Sequence, residues 1–312
     1  MMQERLTIEV IVDIDGQLCG CDCKFINQEY AYCNLFHAQI VDKGWDKVAR
    51  WSRYTRCSEC FGGDKWLIVT WSQMDYSQIE LRMAAHLSQD EAMLEVYRKG
   101  GDIHLETACA MFGLPPEDID SSKHRRPAKT TNFGVIYGIT ARGLLIRFQH
   151  ENIVAFTEAD CRKFIQNWER KYAGYFEWAD EIRAFARRNG FVLDMFGRRR
   201  YVPEVFSSHK WIQEGGLREA VNAPIQSGAQ GIIKEAMKQL VPVYRAWDAL
   251  GYVVRPLLQV HDEILWEIED CILDAAVPML ARIMEEVIEL TIPTPVDVKV
   301  GLNWNSMEEW KW

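Results

Sequence analysis

Apolar and polar positions change their period several times along this chain. Residues 66–74, opening Trp66-Leu67-Ile68-Val69-Thr70-Trp71, form a mostly apolar run that ends on Asp75 and predicts a buried strand. Helical spacing follows over 78–87 and again over 91–99, where Gly100-Gly101 stops it. A short helix is predicted over 103–112, closed by Gly113 and Pro115-Pro116. Another is predicted over 125–137, with Pro127 in its first turn, where a missing N–H does no harm. Residues 158–172 and 175–188 read as two amphipathic helices joined at Gly174. Residues 191–202 read as a hairpin turning at Phe196-Gly197-Arg198, and 218–244 as mainly helical with a break or kink at Pro224. Residues 257–268 read as two strands meeting at His261-Asp262-Glu263, followed by a helix over 272–290 and a last strand over 296–300. Strands at the margins of a helical block predict an α+β fold rather than a wound parallel sheet.

The pattern is different ahead of Gly62-Gly63-Asp64. Residues 1–64 are expected to form a small Cys-rich module, and 65–312 one continuous mixed domain. The module opens with an alternating run over 6–12, which reads as a strand ending at Asp15-Gly16. Cys19, Cys21, Cys23, Cys33, Cys57 and Cys60 fall in the first sixty residues, against Cys109, Cys161 and Cys271 in the rest. In a reducing compartment such a cluster points to metal before it points to disulfides. Four thiolates around Zn2+ would stabilise a segment too small for its own core. Cys23, Cys33, Cys57 and Cys60 are the candidate ligands, with Cys19 or Cys21 able to replace Cys33; non-ligating reduced thiols are the competing reading.

Composition narrows the class. Hydrophobic residues are 48% and charged residues 26%, a globular balance. No apolar run approaches bilayer length, and Met1-Met2-Gln3-Glu4-Arg5 lacks a signal-peptide layout, so a cytoplasmic protein without a membrane partner is expected. The net charge of −9 disfavours a nucleic-acid glue that works through its whole surface. Local cation clusters at Arg125, Arg126 and Lys129, at Arg187 and Arg188, and at Arg198 to Arg200 still suit an enzyme that grips phosphates at chosen points. Weak, salt-sensitive DNA binding is expected unless a further DNA-holding domain is present.

Two features carry chemistry. Asp75 ends a strand and Asp262 sits at a hairpin tip, places that hold carboxylates rigidly at a sheet rim and suit hard divalent cations. Either residue alone would more often be a helix cap or a turn residue. Their polar neighbours Gln78, Glu80, His261 and Glu263 argue against that reading. The second feature is the series Arg125, Lys129, Phe133 and Tyr137, spaced by four, which forms one stripe on a helix. Two cations suit a triphosphate, and two aromatic faces suit a sugar and a base. The alternative places the two rings in the core and the cations in solvent.

Three segments together carry a resemblance: Asp75-Tyr76-Ser77-Gln78-Ile79-Glu80-Leu81-Arg82, the stretch from Arg125 to Gly138, and Gln259-Val260-His261-Asp262-Glu263. They resemble motifs A, B and C of family A DNA polymerases, closest to phage-type members. The likeness extends to Asp102-Ile103-His104, Asn222-Ala223-Pro224-Ile225-Gln226 and Val300-Gly301-Leu302-Asn303-Trp304. It implies a right-hand palm with an antiparallel sheet and helical fingers. It implies a template-directed DNA polymerase acting on primer-template DNA and dNTP. Asp75, Asp262 and the Tyr76 carbonyl would hold two Mg2+ ions, with Glu263 in support. Arg125, Lys129 and His104 would hold the triphosphate, and Lys129 could also protonate the pyrophosphate leaving group. Phe133 would pack on the deoxyribose, and Glu80 with Tyr137 would exclude a ribose 2′-hydroxyl. Arg218, Asn222, Gln226 and His261 would contact the primer-template.

The chain departs from the family pattern before residue 65. A thumb, an exonuclease-like domain and the Thr-Gly-Arg primer segment are not found there, so a second polypeptide supplying them is a candidate partner. The Cys-rich head loosely resembles small phage zinc-binding proteins. One subunit of a split polymerase, and a non-catalytic zinc- or nucleic-acid-binding remnant, are the competing functional readings.

Overall fold

The computed structural model describes residues 69–153 and 155–311. The candidate zinc ligands Cys23, Cys33, Cys57 and Cys60, and the expected boundary at residue 64, lie outside the described residues. In chain order the elements are strand β1 (Val69–Tyr76), helices α1 (Ile79–Ser88), α2 (Glu91–Arg98), α3 (Ile103–Phe112), α4 (Arg126–Ile136), α5 (Ala141–His150), α6 (Glu158–Lys171) and α7 (Ala173–Asn189), then the hairpin β2 (Phe191–Leu193) and β3 (Arg199–Tyr201). Helix α8 (Lys210–Ala249), strands β4 (Val254–Val260) and β5 (Glu263–Glu269), helix α9 (Leu273–Glu286) and strands β6 (Val296–Gly301) and β7 (Glu308–Glu309) complete the order. The expected α+β class is what forms.

The described residues divide into two compact units. The first takes residues 69–75, Gln239–Ile283 and 297–311; the second takes Tyr76–Lys238 and Met284–Val296.

The first unit is built on a five-stranded sheet in the order β4-β5-β1-β6-β7. Thr70, Ser72, Met74 and Tyr76 of β1 are buried while the residues between them are half-buried, the period-2 signature of a strand. Strand β5 sits between β4 and β1 and buries Ile264, Leu265, Trp266 and Ile268 in near-continuous fashion. Both neighbours run antiparallel to it. Pro256 lies in β4, the outermost described strand on that side, where its missing N–H costs little, and the register shifts between Pro256 and Leu258. The predicted meeting of two strands near 261–263 is present. His261 adopts a left-handed backbone (φ 53°) at the turn that reverses the chain.

The second unit is helical. Helices α3, α4, α5 and α6 enclose a core around Met111, Ala128, Leu144, Phe148 and Phe164. Helix α5 is absent from the sequence expectation. Its signals are a Thr140 cap, whose Oγ1 accepts from Gly143 N at 3.1 Å, and two buried residues four apart, Leu144 and Phe148. Gly174 falls inside the first turn of α7 rather than at the junction. Its N–H donates to Asp90 Oδ2 at 2.9 Å, and a Cβ there would approach the same oxygen to 3.0 Å.

Three helix boundaries need correction. A π-helical turn over Ser121–Arg125, capped by Asp120, precedes α4, so Arg125 belongs to the turn ahead of the helix. Helix α8 runs unbroken through Pro224 for 40 residues. Buried Leu217, Ala220, Val221 and Ile225 surround the proline, and this packing outweighs the ~3 kcal/mol that an interior proline usually costs. The helix predicted to reach 290 stops at Glu286.

Candidate active site

The acidic part of the site lies in the first unit. Antiparallel pairing places Asp75 of β1 opposite Glu263 of β5, and Asp262 precedes Glu263 in the turn. Asp75, Asp262 and Glu263 are all half-buried, and His261 is exposed. Gln73 Nε2 donates to Glu263 Oε2, and Gln259 Nε2 donates to the His261 carbonyl at 2.6 Å. Burial first, then the carboxylates of Asp262, Glu263 and Asp297, raise the Asp75 pKa to about 7 against a weaker pull from Lys299. Burial also raises Asp262. Such a crowd of oxygens holds more negative charge than its protein surroundings offset. It therefore fits a hard divalent cation. Among the described residues no group of three His, Cys, Asp or Glu side chains is placed to hold a metal ion by itself. Two carboxylates and a backbone carbonyl, with phosphates completing the shell, need no such group.

Tyr76 begins the second unit. Its ring is buried and its hydroxyl donates to the Met284 carbonyl at 2.6 Å, so only its main chain is available as a ligand. Ser77 N donates to the Pro295 carbonyl at 3.0 Å, and Arg82 donates to the Ser77 and Pro293 carbonyls, which ties down the turn after β1.

Helix α4 buries Ala128, Thr131, Asn132, Val135 and Ile136. The opposite side carries exposed Lys129 with half-buried Phe133 and Tyr137, and half-buried Arg125 leads into it. The four residues thus lie off the fully buried face of α4, with both rings half-buried and Lys129 in solvent. Arg125 Nε donates to Asp102 Oδ2 at 2.5 Å, and Asp102 also caps α3 by accepting from His104 N at 2.9 Å. Burial pushes the Asp102 carboxyl upward, but Arg125 and the His104 N–H outweigh it and hold the group below its ordinary value. His104 is buried beside Phe133, with ring centroids 5.8 Å apart.

Tyr137 donates its hydroxyl to Glu80 Oε2. Burial, then Glu80, push the Tyr137 pKa well up, with Gln226 of α8 opposing through its own hydrogen bond. Gly138 has φ 70°, and a Cβ there would come within 3.0 Å of Arg218 Cγ. Arg218, Asn222 and Gln226 are spaced by four on α8, the outer two exposed. The second unit therefore gathers Glu80, Tyr137, Arg218 and Gln226 around one end of α4. The sequence expectation passed over Asp102 as the partner of Arg125, Asp297 as a neighbour of Asp75, and Asn132. The legible signal for Asn132 was an amide among apolar neighbours on the core side of a helix.

Residues 49–306 match the family model described as DNA polymerase family A. The chain is 40% identical over 244 residues to the thermostable DNA polymerase I of Thermus aquaticus, covering 78% of this chain and 28% of that protein. It is 38% identical over 230 residues to a DNA polymerase I of Streptococcus pneumoniae, covering 74% of this chain and 25% of that one. This chain belongs to DNA polymerase family A.

Among solved structures, the POL domain of Pol1 from M. smegmatis, in complex with DNA primer-template and dNTP, superposes with a TM-score of 0.68 at 32% identity. The match covers 76% of this chain and 40% of that one. In the terms of family A, the five-stranded antiparallel unit is the palm and the helical unit carries the fingers. The family A chain described here spans 28% or less of the length of these two DNA polymerase I relatives. Among the described residues, no helix is long and apolar enough to cross a membrane.

Proposed function

We propose that this chain is the nucleotidyl-transfer region of a template-directed DNA polymerase. It joins a dNMP unit from dNTP to a primer 3′-hydroxyl and releases pyrophosphate. The observation that carries the reading is the gathering of Asp75, Asp262 and Glu263 at one end of a family A sheet, close enough that the last two push the Asp75 carboxyl up. Residues 65–312 form the palm and fingers in this reading, and residues 1–64 a separate zinc module.

Asp75, Asp262 and the Tyr76 carbonyl would hold Mg2+, with Glu263 maintaining the negative field around Asp75. When bound, two such ions supply Lewis-acid stabilisation of the attacking and leaving oxygens. Arg125, preorganised by Asp102, and exposed Lys129 would bind the triphosphate as charge-assisted donors. Lys129 is the acid for the departing pyrophosphate. His104 offers a further donor to the same phosphates. Phe133 packs on the deoxyribose, while Glu80, braced by Tyr137, fills the space that a 2′-hydroxyl would need. Arg218, Asn222, Gln226 and His261 contact the primer-template. The work of the protein is positioning and charge neutralisation.

The test is single-nucleotide extension of a primed template by the purified chain with Mg2+ at low salt. Asp262→Ala should lower incorporation by about 10³-fold or more. Extension equal to wild type in that variant would refute the assignment and favour a binding remnant. Activity seen only with a thumb-bearing second polypeptide would make this chain one subunit of a split enzyme.

A further inference from the structure

Asn132 sits on the core side of α4, fully buried, with its amide between two rings. Trp168 Nε1 lies 2.6 Å from Asn132 Oδ1. An indole N–H can only donate, so the atom it meets must be the amide oxygen. The Thr107 hydroxyl lies on the same side, 2.9 Å from Oδ1 and 2.9 Å from the Tyr172 hydroxyl. The amide nitrogen therefore faces the imidazole, 2.8 Å from His104 Nδ1. An amide NH2 also only donates, so Nδ1 accepts through its lone pair. The single proton of the neutral ring is left on Nε2. Turning the Asn132 amide over would set its NH2 against the indole N–H, two donors face to face in a buried site.

We propose that Asn132 is a positioning residue: clamped by Trp168, it holds His104 as the neutral Nε2–H tautomer and so aims a fixed donor at a phosphate oxygen of the nucleotide. This rests on the reading of His104 as a triphosphate contact. The charged groups facing the ring are Asp102 at the cap of α3, Arg125 in the turn ahead of α4, and Lys129 on α4. Burial lowers the imidazole pKa to about 4; Asp102 pulls upward, and Arg125 and Lys129 add to the lowering. A protonated ring would also present Nδ1–H to the amide hydrogens of Asn132, two donors face to face. The nucleotide thus meets the same neutral donor across the working pH range, and Arg125 and Lys129 supply the charge.

The test starts without nucleotide. Long-range proton–nitrogen spectra of the full chain with labelled histidine report the tautomer directly, and a His104→Gln sample identifies its signals among the seven histidines. The expected spectrum at pH 7 has a pyridine-type Nδ1 and a pyrrole-type Nε2, unchanged to about pH 5. A pyrrole-type Nδ1, an averaged pair or an imidazolium at pH 7 would overturn the proposal. In Asn132→Asp, one carboxylate oxygen still accepts from Trp168 while the other demands a proton on Nδ1. That variant should switch the ring to Nδ1–H or imidazolium. It should also raise KM for dNTP about tenfold or more, in a pH-dependent way, with kcat nearly unmoved. If this variant does not fold, the wild-type spectrum alone decides. The expected tautomer combined with an unresponsive KM would sink the phosphate role. A chain that extends no primer at all would instead sink the polymerase reading and leave the measured tautomer in place.

Discussion

Asp75 on β1 stands opposite Glu263 on β5 in an antiparallel register, with Asp262 one position earlier in the turn. Two strand ends and a tight reversal therefore fix the acidic cluster, and no flexible loop is involved in bringing Asp75 to Glu263. That backbone geometry makes the charge state of the cluster a measurable property of the folded protein.

The Asp75 pKa is raised to about 7 from an ordinary 3.8, chiefly by burial and then by Asp262. Between those values the folded chain holds a proton that the unfolded chain has released. Stability of the metal-free protein should therefore fall as pH climbs from about 4 to 7. Thermal melts in chelator should show a higher Tm at pH 5 than at pH 8, and Asp75→Asn should flatten the difference. Added Mg2+ should raise Tm more at pH 8 than at pH 5, because metal and proton compete for the same carboxylates. An equal response at both pH values would count against the site.

Glu80 is held by the Tyr137 hydroxyl. Glu80→Ala should relax sugar discrimination, raising the ratio of ribonucleotide to deoxyribonucleotide incorporation by about 10- to 200-fold, the scale set by one steric contact. Competition assays with matched rNTP and dNTP read this ratio. An unchanged ratio would remove Glu80 from the sugar pocket.

Asp194 fastens the β2–β3 hairpin to α8. Its side chain is 2% exposed and accepts from Phe196 N, Arg198 N, Arg198 Nε and Ser227 Oγ. Asp194→Ala should cost about 1–3 kcal/mol, because two turn N–H groups, the Arg198 guanidinium and the Ser227 hydroxyl lose one shared buried acceptor together. Burial pushes this carboxyl up, but Ser227, Arg198 and the turn N–H groups outweigh it and hold it below its ordinary value. Its contribution is thus full at neutral pH and lost as pH falls through the folded-state value. Urea titrations of wild type and variant should converge in acid.

Helix α5 supplies a control pair. Phe148 is fully buried and Ile146 is 45% exposed on the same helix. Phe148→Ala should cost about 3–5 kcal/mol, while Ile146→Ala should stay within about 0.5 kcal/mol. Similar losses at both sites would mean that the helix packs through a different face.

What the sequence discloses, and what it hides, follows from how local each cause is. The strand ending on Asp75 and the reversal at His261-Asp262 are written in short-range apolar patterns, and both form. The stripe from Arg125 to Tyr137 is legible because a single spacing rule puts its members on one side. Of the break or kink that local propensity predicts at Pro224, the break does not form, because burial of Ala220, Val221 and Ile225 keeps the helix continuous. Helix α5 escapes notice because only two of its residues are buried and Gly143 dilutes its pattern. The pairings of Asp102 with Arg125 and of Asn132 with His104 span 23 and 28 positions, and side-chain hydrogen bonds at that range leave no periodic trace.

Pro256 has one more implication, for handling the protein. It interrupts the outermost described strand beside half-exposed Leu257 and Leu258, a pair that would otherwise invite edge-to-edge stacking between molecules. Replacing it with a β-branched residue would repair the hydrogen-bonding rim and turn a quiet margin into a template for fibrillar growth.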